Sequence, residues 1–337
     1  MAENVSDAII RIGVLKLGGI GDACDFAVIL HGIRKQFPNA SIIAISNGNQ
    51  SILRGYADAV IIDKKTDWWE LSRRYGWRYD LFFDLRPHAG IVFQGNPYTR
   101  IKTYIAANRK NHDSHYVNST VDYTHIKQFN HYNSWETNKL QQNRKSVIGL
   151  NCEAIGIEKH NYDEARCEVN QFKDTNFITI NTGAMGAERG IKQTKQWDMK
   201  NWQVVVDELL KRGERVIQIG IRWEKKLKHV EHIWQKPLHE VMRYLASSKL
   251  HLGNENGLIR LRRLVTNKLS IVLFGPTPPM MYGFENNINI WNNVCHPCFW
   301  YTGDWMTKCA MNIDCLCMKS ITIDKVLEAT NEYCNND

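Results

Sequence analysis

The stretch Val14-Leu15-Lys16-Leu17-Gly18-Gly19-Ile20-Gly21-Asp22-Ala23-Cys24-Asp25-Phe26 decides the fold expected for this chain. Its branched aliphatic residues predict a buried strand, its glycines permit a tight turn, and the apolar spacing up to Lys35 predicts a helix. Asp22 then lies at or near the helix N-cap. Its carboxylate either caps the helix or serves a ligand site, because ligands bind at the carboxyl edge of an open α/β sheet.

The glycine spacing excludes two common nucleotide-binding motifs. The turn does not read G-x-G-x-x-G, and no G-x-x-x-x-G-K-[ST] occurs in the chain. The sequence therefore argues against a dehydrogenase that transfers hydride and against a P-loop enzyme that transfers a phosphoryl group.

Apolar strands alternate with helical segments along the chain, which is the pattern of a parallel α/β sheet. In the first half, the pattern predicts strands at 42–46, 59–62 and 79–85, which are separated by the segment 50–56 and a helix at 68–75. A second series is predicted at 177–181, 202–211, 215–219, 239–246, 249–252, 258–265 and 270–274. The polar segment 108–146 is interpreted as irregular surface, with an acceptor-binding loop as the alternative.

Length and composition indicate two globular domains, which we place at 1–160 and 161–337. The 337 residues are 43% hydrophobic and 10% aromatic, enough for two cores. No apolar run approaches roughly 18 residues, and the N-terminus lacks the basic and apolar regions of a signal peptide. The sequence therefore predicts a cytoplasmic protein, which is compatible with peripheral contact at the inner membrane surface. A formal net charge of +8 favours anionic partners without deciding among them.

Four segments in order carry a family resemblance. The first runs from the strand through the glycine–Asp turn to Arg34-Lys35-Gln36-Phe37-Pro38, and the second combines the loop Asn181-Thr182-Gly183-Ala184 with Lys195-Gln196-Trp197. The third is Gly253-Asn254-Glu255-Asn256-Gly257-Leu258-Ile259-Arg260-Leu261, and Phe274-Gly275-Pro276-Thr277 follows it. Together they resemble glycosyltransferase family nine, the lipopolysaccharide heptosyltransferase family, over most of the chain.

The resemblance implies a GT-B architecture, in which two Rossmann-like α/β domains face a cleft. It also implies an inverting, metal-independent transfer of sugar from a nucleotide-diphospho-sugar, the co-substrate, with no cofactor required. Asp22 is then the candidate base for the acceptor hydroxyl, on a loop formed by Gly18, Gly19 and Gly21. Asp25 shares its helical face and is interpreted as a solvated helix residue. Lys195 matches the family lysine that contacts the donor phosphate.

The remaining donor-side candidates also depend on the resemblance. Loop amides and the start of a helix suit an anion, and a glutamate can hold a ribose hydroxyl. The residues assigned to these roles are Thr182, Gly183, Ala184, Glu224, Glu255, Asn256, Gly257 and Arg260.

The chain departs from the family pattern in the third segment. Glu255 stands where the pattern has Asp, and Arg260 stands where it has His. Arg260 can make bidentate phosphate contacts, while Arg262 and Arg263 are interpreted as exposed helix charge. Because of this departure we do not transfer the family's usual substrate. We expect a polyanionic acceptor, either a lipopolysaccharide-type glycolipid saccharide or DNA.

Two alternative functions remain open at this point. Basic charge, many aromatic residues and the altered third segment suit a glycosyltransferase of modified DNA bases, which would need base flipping inside a duplex. A non-catalytic nucleotide-binding or nucleic-acid-binding protein with the same fold is the alternative outside the enzymes.

Cysteines near the C-terminus form the one spacing in the sequence that is typical of a metal-binding site. Cys295 and Cys298 have C-x-x-C spacing, and Cys309, Cys315 and Cys317 follow. Such thiols suit tetrahedral zinc or iron, but the downstream spacing is unusual, so we assign no metal and keep a structural site as the alternative. The sequence has no acidic D-x-D pair at the end of a predicted strand, so it does not indicate a metal-dependent donor site.

Overall fold

The computed structural model describes residues 9–65, 67–85, 146–183, 193–292, 294–295, 298–299 and 304–334. The chain divides into two compact units: among these residues the first comprises 9–65, 67–85 and 147–165, and the second comprises residue 146 and the described residues from 166 onward. The polar segment up to residue 145 and Ala184 lie outside the described residues. No helix in the described ranges combines the length and apolar character needed to cross a membrane.

The first unit is built on a four-stranded parallel sheet of order β3-β2-β1-β4. Its elements are β1 (Arg11–Leu15), α1 (Ile20–Gln36), β2 (Ser41–Ser46), α2 (Gln50–Leu53), β3 (Ala59–Ile62), α3 (Trp68–Tyr75), a 3-10 turn (Gly76–Arg78), β4 (Leu81–Asp84) and α4 (Val147–Ile155). On the central strand, Val14 lies opposite Ala44 and Phe83. All strands run the same way, so the turn after β1 lies at the carboxyl edge of the sheet.

The second unit is built on a six-stranded parallel sheet of order β10-β9-β8-β5-β6-β7. Its elements are β5 (Ile178–Asn181), α5 (Met199–Lys211), β6 (Val216–Gly220), β7 (Glu231–Trp234), α6 (Leu238–Ser247), β8 (Leu250–Asn254), α7 (Gly257–Val265), β9 (Ser270–Phe274), α8 (Pro279–Tyr282), β10 (Ile288–Trp291), α9 (Leu316–Lys319) and α10 (Ile323–Cys334). The inner strands β5, β6, β8 and β9 are buried throughout. Near-continuous burial is typical of parallel strands covered on both faces.

The βα alternation read from the sequence is confirmed in both units. The two edge strands of the six-stranded sheet, β7 and β10, and the helices α4, α8, α9 and α10 were not predicted. Edge strands are only half-buried, and β7 reads Glu-His-Ile-Trp, so neither carries a long apolar run. Apolar patterning finds the inner strands because those bury both faces.

Candidate functional site

The glycine turn after β1 holds Asp22 by hydrogen bonds at the start of α1. The N-cap residue is Gly19, and Asp22 stands at the third helical position, where its Oδ2 accepts a hydrogen bond from the Gly19 amide at 2.9 Å. Gly18 has φ +146°, and a Cβ there would lie 2.3 Å from Asp22 Oδ2. The Gly18 amide donates to Asn47 Oδ1 at 3.0 Å. The turn therefore requires glycine at 18 and presents a half-buried carboxylate.

Asp25 differs from the expectation of a solvated helix residue. It is 3% exposed, and its Oδ1 accepts a hydrogen bond from the Tyr162 hydroxyl at 2.6 Å. A buried carboxylate needs such partners because water no longer solvates it. Asp25 therefore ties α1 to the segment after α4.

Loops at the carboxyl ends of β5 and β8 are joined by three hydrogen bonds that two asparagine side chains donate. Asn254 Nδ2 donates to the Thr182 carbonyl at 2.9 Å, and Asn256 Nδ2 donates to the Gly183 carbonyl at 3.1 Å and to Asn181 Oδ1 at 2.5 Å. Asn256 also caps α7 by accepting from the Leu258 amide at 2.8 Å, which places Gly257 at the first helical position. These bonds bring the predicted loop Thr182–Gly183 beside the predicted helix start.

A charged cluster lies at the end of β8 and the start of α7. Glu255 is 6% exposed, forms an ion pair with Lys195 Nζ, and accepts a hydrogen bond from Thr277 Oγ1 at 2.8 Å. Burial opposes ionisation of this carboxyl group, but the charges of Lys195 and Arg260 hold its pKa below the ordinary value. Two cations thus act on one buried carboxylate. Such a cluster suits an anionic ligand.

Aromatic rings contact both cations of this cluster. Lys195 Nζ lies 5.4 Å from the centroid of the Trp305 ring and 5.9 Å from that of Tyr282. The guanidinium carbon of Arg260 lies 4.7 Å from the same Tyr282 centroid. Phe299 packs edge-on against both aromatic residues, with centroids 5.5 Å from Tyr282 and 6.1 Å from Trp305.

A cavity of about 580 Å³ opens beside the Thr182–Gly183 loop. Gln196 and Trp197, which directly follow Lys195, line it together with Trp223, Glu224 and residues of α9. The Glu224 carboxyl group packs closely on Gly183, where a Cβ would lie 1.7 Å from Glu224 Oε1. Burial raises the pKa of Glu224 to about 7. The cavity therefore contains a carboxyl group that changes charge near neutral pH.

Arg262 does not lie on an exposed helix face, which corrects the interpretation made from the sequence. It is 1% exposed and donates to Ser248 Oγ at 2.6 Å and to the Leu269 carbonyl at 3.0 Å. Burial lowers its pKa to about 9. Arg262 therefore satisfies backbone carbonyls inside the second unit and is not available to a polyanionic acceptor. Arg263 is half-buried, with its guanidinium carbon 6.0 Å from the Phe284 ring centroid.

The C-terminal cysteines lie close enough to affect one another. Burial and the neighbouring thiols raise the pKa of Cys298 to about 11 and that of Cys317 to about 12. Cys309 differs, because hydrogen bonds from the backbone at Cys315, Ile313 and Met311 outweigh burial and lower its pKa. Among the described residues, no three His, Cys, Asp or Glu side chains already stand in a metal-holding arrangement.

Sequence reasoning missed Thr277, Tyr282 and Trp305 as members of the charged cluster. Thr277 lies in the Phe274-Gly275-Pro276-Thr277 segment, whose position in the resemblance was the available signal. Tyr282 and Trp305 carried no such signal because they approach Lys195 only in the folded chain.

Comparison with known proteins gives matches by structure and none by sequence. No protein-family model matches the chain, and a search of curated proteins finds no match. The iron-containing dodecameric glycosyltransferase TibC from enterotoxigenic E. coli matches with a TM-score of 0.65 at 15% identity, covering 97% of this chain and 76% of that one.

Two other solved structures match nearly end to end. A family 9 glycosyl transferase from Veillonella parvula matches with a TM-score of 0.64 at 13% identity, covering 97% of this chain and 98% of that chain. The E. coli ADP-heptose lipopolysaccharide heptosyltransferase II matches with a TM-score of 0.61 at 12% identity, with coverages of 97% and 99%. At these identities the likeness concerns the fold. The chain thus has the two-domain Rossmann-like fold of these glycosyltransferases, as the resemblance in its sequence implied.

Proposed function

We propose that this protein is an inverting glycosyltransferase that takes its sugar from a nucleotide-diphospho-sugar. The observation that carries the proposal is the cluster of Lys195, Arg260 and buried Glu255, in which Lys195 directly precedes Gln196 and Trp197, two residues that line a nucleotide-sized cavity. A leaving diphosphate gains negative charge as the sugar departs, and preorganised cations stabilise that charge. Solved structures with the same fold include E. coli heptosyltransferase WaaC with bound ADP, at a TM-score of 0.55, which supports a nucleotide ligand.

The proposed reaction is a single displacement at the anomeric carbon. Asp22 takes the proton of the acceptor hydroxyl, the acceptor oxygen bonds to the anomeric carbon, and the bond from that carbon to the diphosphate oxygen breaks. The electron pair leaves with the diphosphate, whose charge Lys195 and Arg260 compensate. One displacement inverts the anomeric configuration, and no step calls for a metal ion.

Product analysis tests this function directly. ADP-, UDP-, GDP- and dTDP-sugars are offered in turn with glycolipid, protein and DNA acceptors, and the masses of the products are measured by mass spectrometry. We expect a glycosyl mass shift on the glycolipid saccharide. A shift on DNA alone would support the DNA-base alternative, and nucleotide binding without transfer or hydrolysis would support a binding protein. The structural matches favour neither alternative, and the burial of Arg262 removes one charge that suggested DNA.

We propose that Glu224 accepts a hydrogen bond from a ribose hydroxyl of the donor. Its carboxyl group lines the cavity and has a pKa of about 7, so the accepting anion is present above neutral pH and protonated below it. The affinity for a nucleoside diphosphate should therefore rise as the pH increases from 6 to 8. Calorimetric titration at several pH values measures this, and Glu224→Gln should flatten the rise. An equally steep rise in Glu224→Gln would assign the titration to another group.

We also propose that the C-terminal thiols hold a structural metal ion, with four of the five thiols of Cys295, Cys298, Cys309, Cys315 and Cys317 as ligands. The backbone amides directed at Cys309 favour its thiolate, the form that binds metals, whereas burial and the neighbouring thiols oppose ionisation of Cys298, so a cation would have to compensate the gathered thiolate charge. TibC, which shares the fold, is iron-containing. Because the described side chains do not already enclose a metal position, binding would draw the thiols together. Four thiolates leave no open coordination position, so such a metal would brace the segment and not react.

Elemental analysis of protein purified without an affinity metal should show about one equivalent of iron or zinc. Changing Cys295 and Cys298 to Ser should remove that metal and lower the melting temperature, because metal binding contributes to folding. Cys24→Ser is the matched control, since Cys24 lies in the first unit and should leave the metal content unchanged. Metal-free protein with an unaltered melting temperature would show that the thiols are only buried side chains.

A further inference from the structure

The segment 221–230, which joins β6 to β7, concentrates positive charge on the surface of the second unit; we call it the basic loop. Four exposed cations fall within seven residues of it. They are Arg222, Lys225, Lys226 and Lys228. The segment holds a single carboxyl group, that of Glu224, which packs on Gly183 beside the cavity. The basic loop therefore carries more positive charge than its own carboxylate can offset.

Other exposed cations of the second unit lie against carboxylates. Lys211 forms an ion pair with Glu208. Arg215 forms ion pairs with Asp174 and Glu231. The four cations of the basic loop form no ion pair with a carboxylate in the part of the chain that the structure describes. Their charge is thus available to an anionic partner.

Hydrogen bonds fix the basic loop to the rest of its unit. Gln218 of β6 donates from Nε2 to the Lys225 carbonyl at 2.9 Å and accepts at Oε1 from the Leu227 amide at 2.8 Å. Gln203 of α5 accepts from the Lys228 amide at 2.8 Å. Leu227 is 2% exposed and belongs to the hydrophobic core. The cations therefore stand on the outer side of an ordered segment.

Two large apolar side chains are exposed beside these cations. Ile221 is 41% exposed and Trp223 is 49% exposed. The guanidinium carbon of Arg222 lies 4.2 Å from the centroid of the Trp223 ring, and Lys226 Nζ lies 5.2 Å from that of Trp234. Apolar and cationic groups thus occur side by side on the basic loop.

An anionic lipid bilayer matches this combination of side chains. Its surface attracts Lys and Arg, and its headgroup layer accepts Trp and aliphatic side chains. A single-stranded nucleic acid also attracts cations, but its bases stack on aromatic faces. In the basic loop a cation already covers one face of the Trp223 ring, and Ile221 offers no ring. The apolar groups therefore favour lipid over nucleic acid.

We propose that the basic loop docks this protein on an anionic lipid bilayer. Its four cations contact the lipid phosphates, and the side chains of Ile221 and Trp223 insert among the headgroups. This contact goes beyond the proposed reaction and does not depend on it. Trp223 and Lys225 also line the cavity, so the binding variants change Ile221, Arg222, Lys226 and Lys228, which do not.

Sedimentation of the complete chain with lipid vesicles tests this surface. The protein should bind vesicles that contain phosphatidylglycerol far better than vesicles of phosphatidylcholine alone, and added salt should weaken binding because it screens the attraction. Changing Arg222, Lys226 and Lys228 together to Gln should lower the partition coefficient about 100-fold, since each cation near an anionic surface contributes about fivefold. Ile221→Ser should weaken binding by a smaller factor that is the same at low and high salt.

A control variant with the same change in net charge separates the basic loop from the overall charge of +8. Lys173, Lys211 and Lys325 are exposed lysines of the second unit outside the basic loop. Changing all three to Gln should leave vesicle binding nearly unchanged. Each of these variants alters exposed side chains only, so all should melt at the temperature of the wild type.

Brominated phosphatidylglycerol provides a second measurement that needs no charge variant. Bromine quenches the fluorescence of a tryptophan that enters the lipid layer. Vesicles of this lipid should quench the wild type more than Trp223→Phe, which keeps an aromatic ring but not the fluorophore. Equal quenching would show that Trp223 stays outside the bilayer and would overturn its insertion.

The remaining outcomes decide the docking surface as a whole. An equal loss of binding in the two triple variants would assign it to net charge and overturn a specific surface. A wild type that binds no anionic vesicles, or that binds single-stranded DNA instead, would also overturn it. None of these results bears on the proposed sugar transfer, because that reaction is measured by its products with donor and acceptor in solution.

Discussion

Replacing Asp22 with Asn should slow sugar transfer by about 100-fold or more while leaving the affinity for the donor unchanged. The reduction is the size expected when a general base is lost. An asparagine oxygen can still accept the hydrogen bond from the Gly19 amide, which Asp22 Oδ2 accepts at 2.9 Å. The start of α1 should therefore keep its structure. Steady-state transfer rates and the donor dissociation constant measure the two effects separately.

Two further variants separate the chemistry of Asp22 from its structural role. Asp67→Asn changes another carboxylate that accepts a backbone amide at a helix start in the same unit, here from Glu70 at 3.1 Å, and should leave transfer unchanged. Asp22→Ala loses the base and the hydrogen bond together, so it should also lower the melting temperature. Near-normal turnover in Asp22→Asn would reject Asp22 as the base and leave only its role at the helix terminus.

Replacing Lys195 with Met should reduce transfer by about 100-fold, because one preorganised positive charge on the leaving group is lost. Donor affinity should fall as well, since the remaining Arg260 charge is largely compensated by Glu255. Lys200→Met is the matched control, because Lys200 is an exposed lysine at the start of α5. If Lys200→Met lowers affinity and Lys195→Met does not, the phosphate contact belongs to the neighbouring lysine.

The ion pair with Glu255 adds a stability effect that must be separated from binding. Lys195→Met leaves the buried Glu255 carboxylate with one cation fewer, so the variant should unfold at a lower temperature than the wild type. Adding Glu255→Gln removes the buried carboxylate that has lost its ion-pair partner and should restore much of the melting temperature. It should not restore transfer. Recovery of transfer in the double variant would mean that Lys195 acts only as the partner of Glu255.

Much of the fold could be predicted because local patterns encode it. Inner strands such as Ile178–Asn181 are short apolar runs, and helices such as Gly257–Val265 follow a capping residue with apolar spacing. Edge strands such as Glu231–Trp234 escaped detection because one side of them needs no apolar residues. The comparisons by structure confirm the fold at sequence identities of 12–15%. Packing patterns thus preserve the fold after most residue identities have changed.

The candidate site was predictable only in part. The sequence placed Thr182 and Asn256 on loops after strands, and the structure joins these loops through the bond from Asn256 to the Gly183 carbonyl. The prediction that Asp25 and Arg262 are exposed charges was wrong, because their side chains are only 3% and 1% exposed. A charged residue on a helix carries no local mark of burial, because its partners come from other elements.

By itself, the sequence determined the parallel α/β architecture, the glycine turn that presents Asp22, and the loops that carry the donor candidates. These follow from the order of residues within single elements, where turn chemistry and apolar period act over a few positions. Only the tertiary structure decided that Lys195 pairs with Glu255, 60 residues away, and that Tyr282 and Trp305 both contact Lys195. The physical reason is that electrostatic and ring contacts depend on distance in space, and only folding brings such distant residues together.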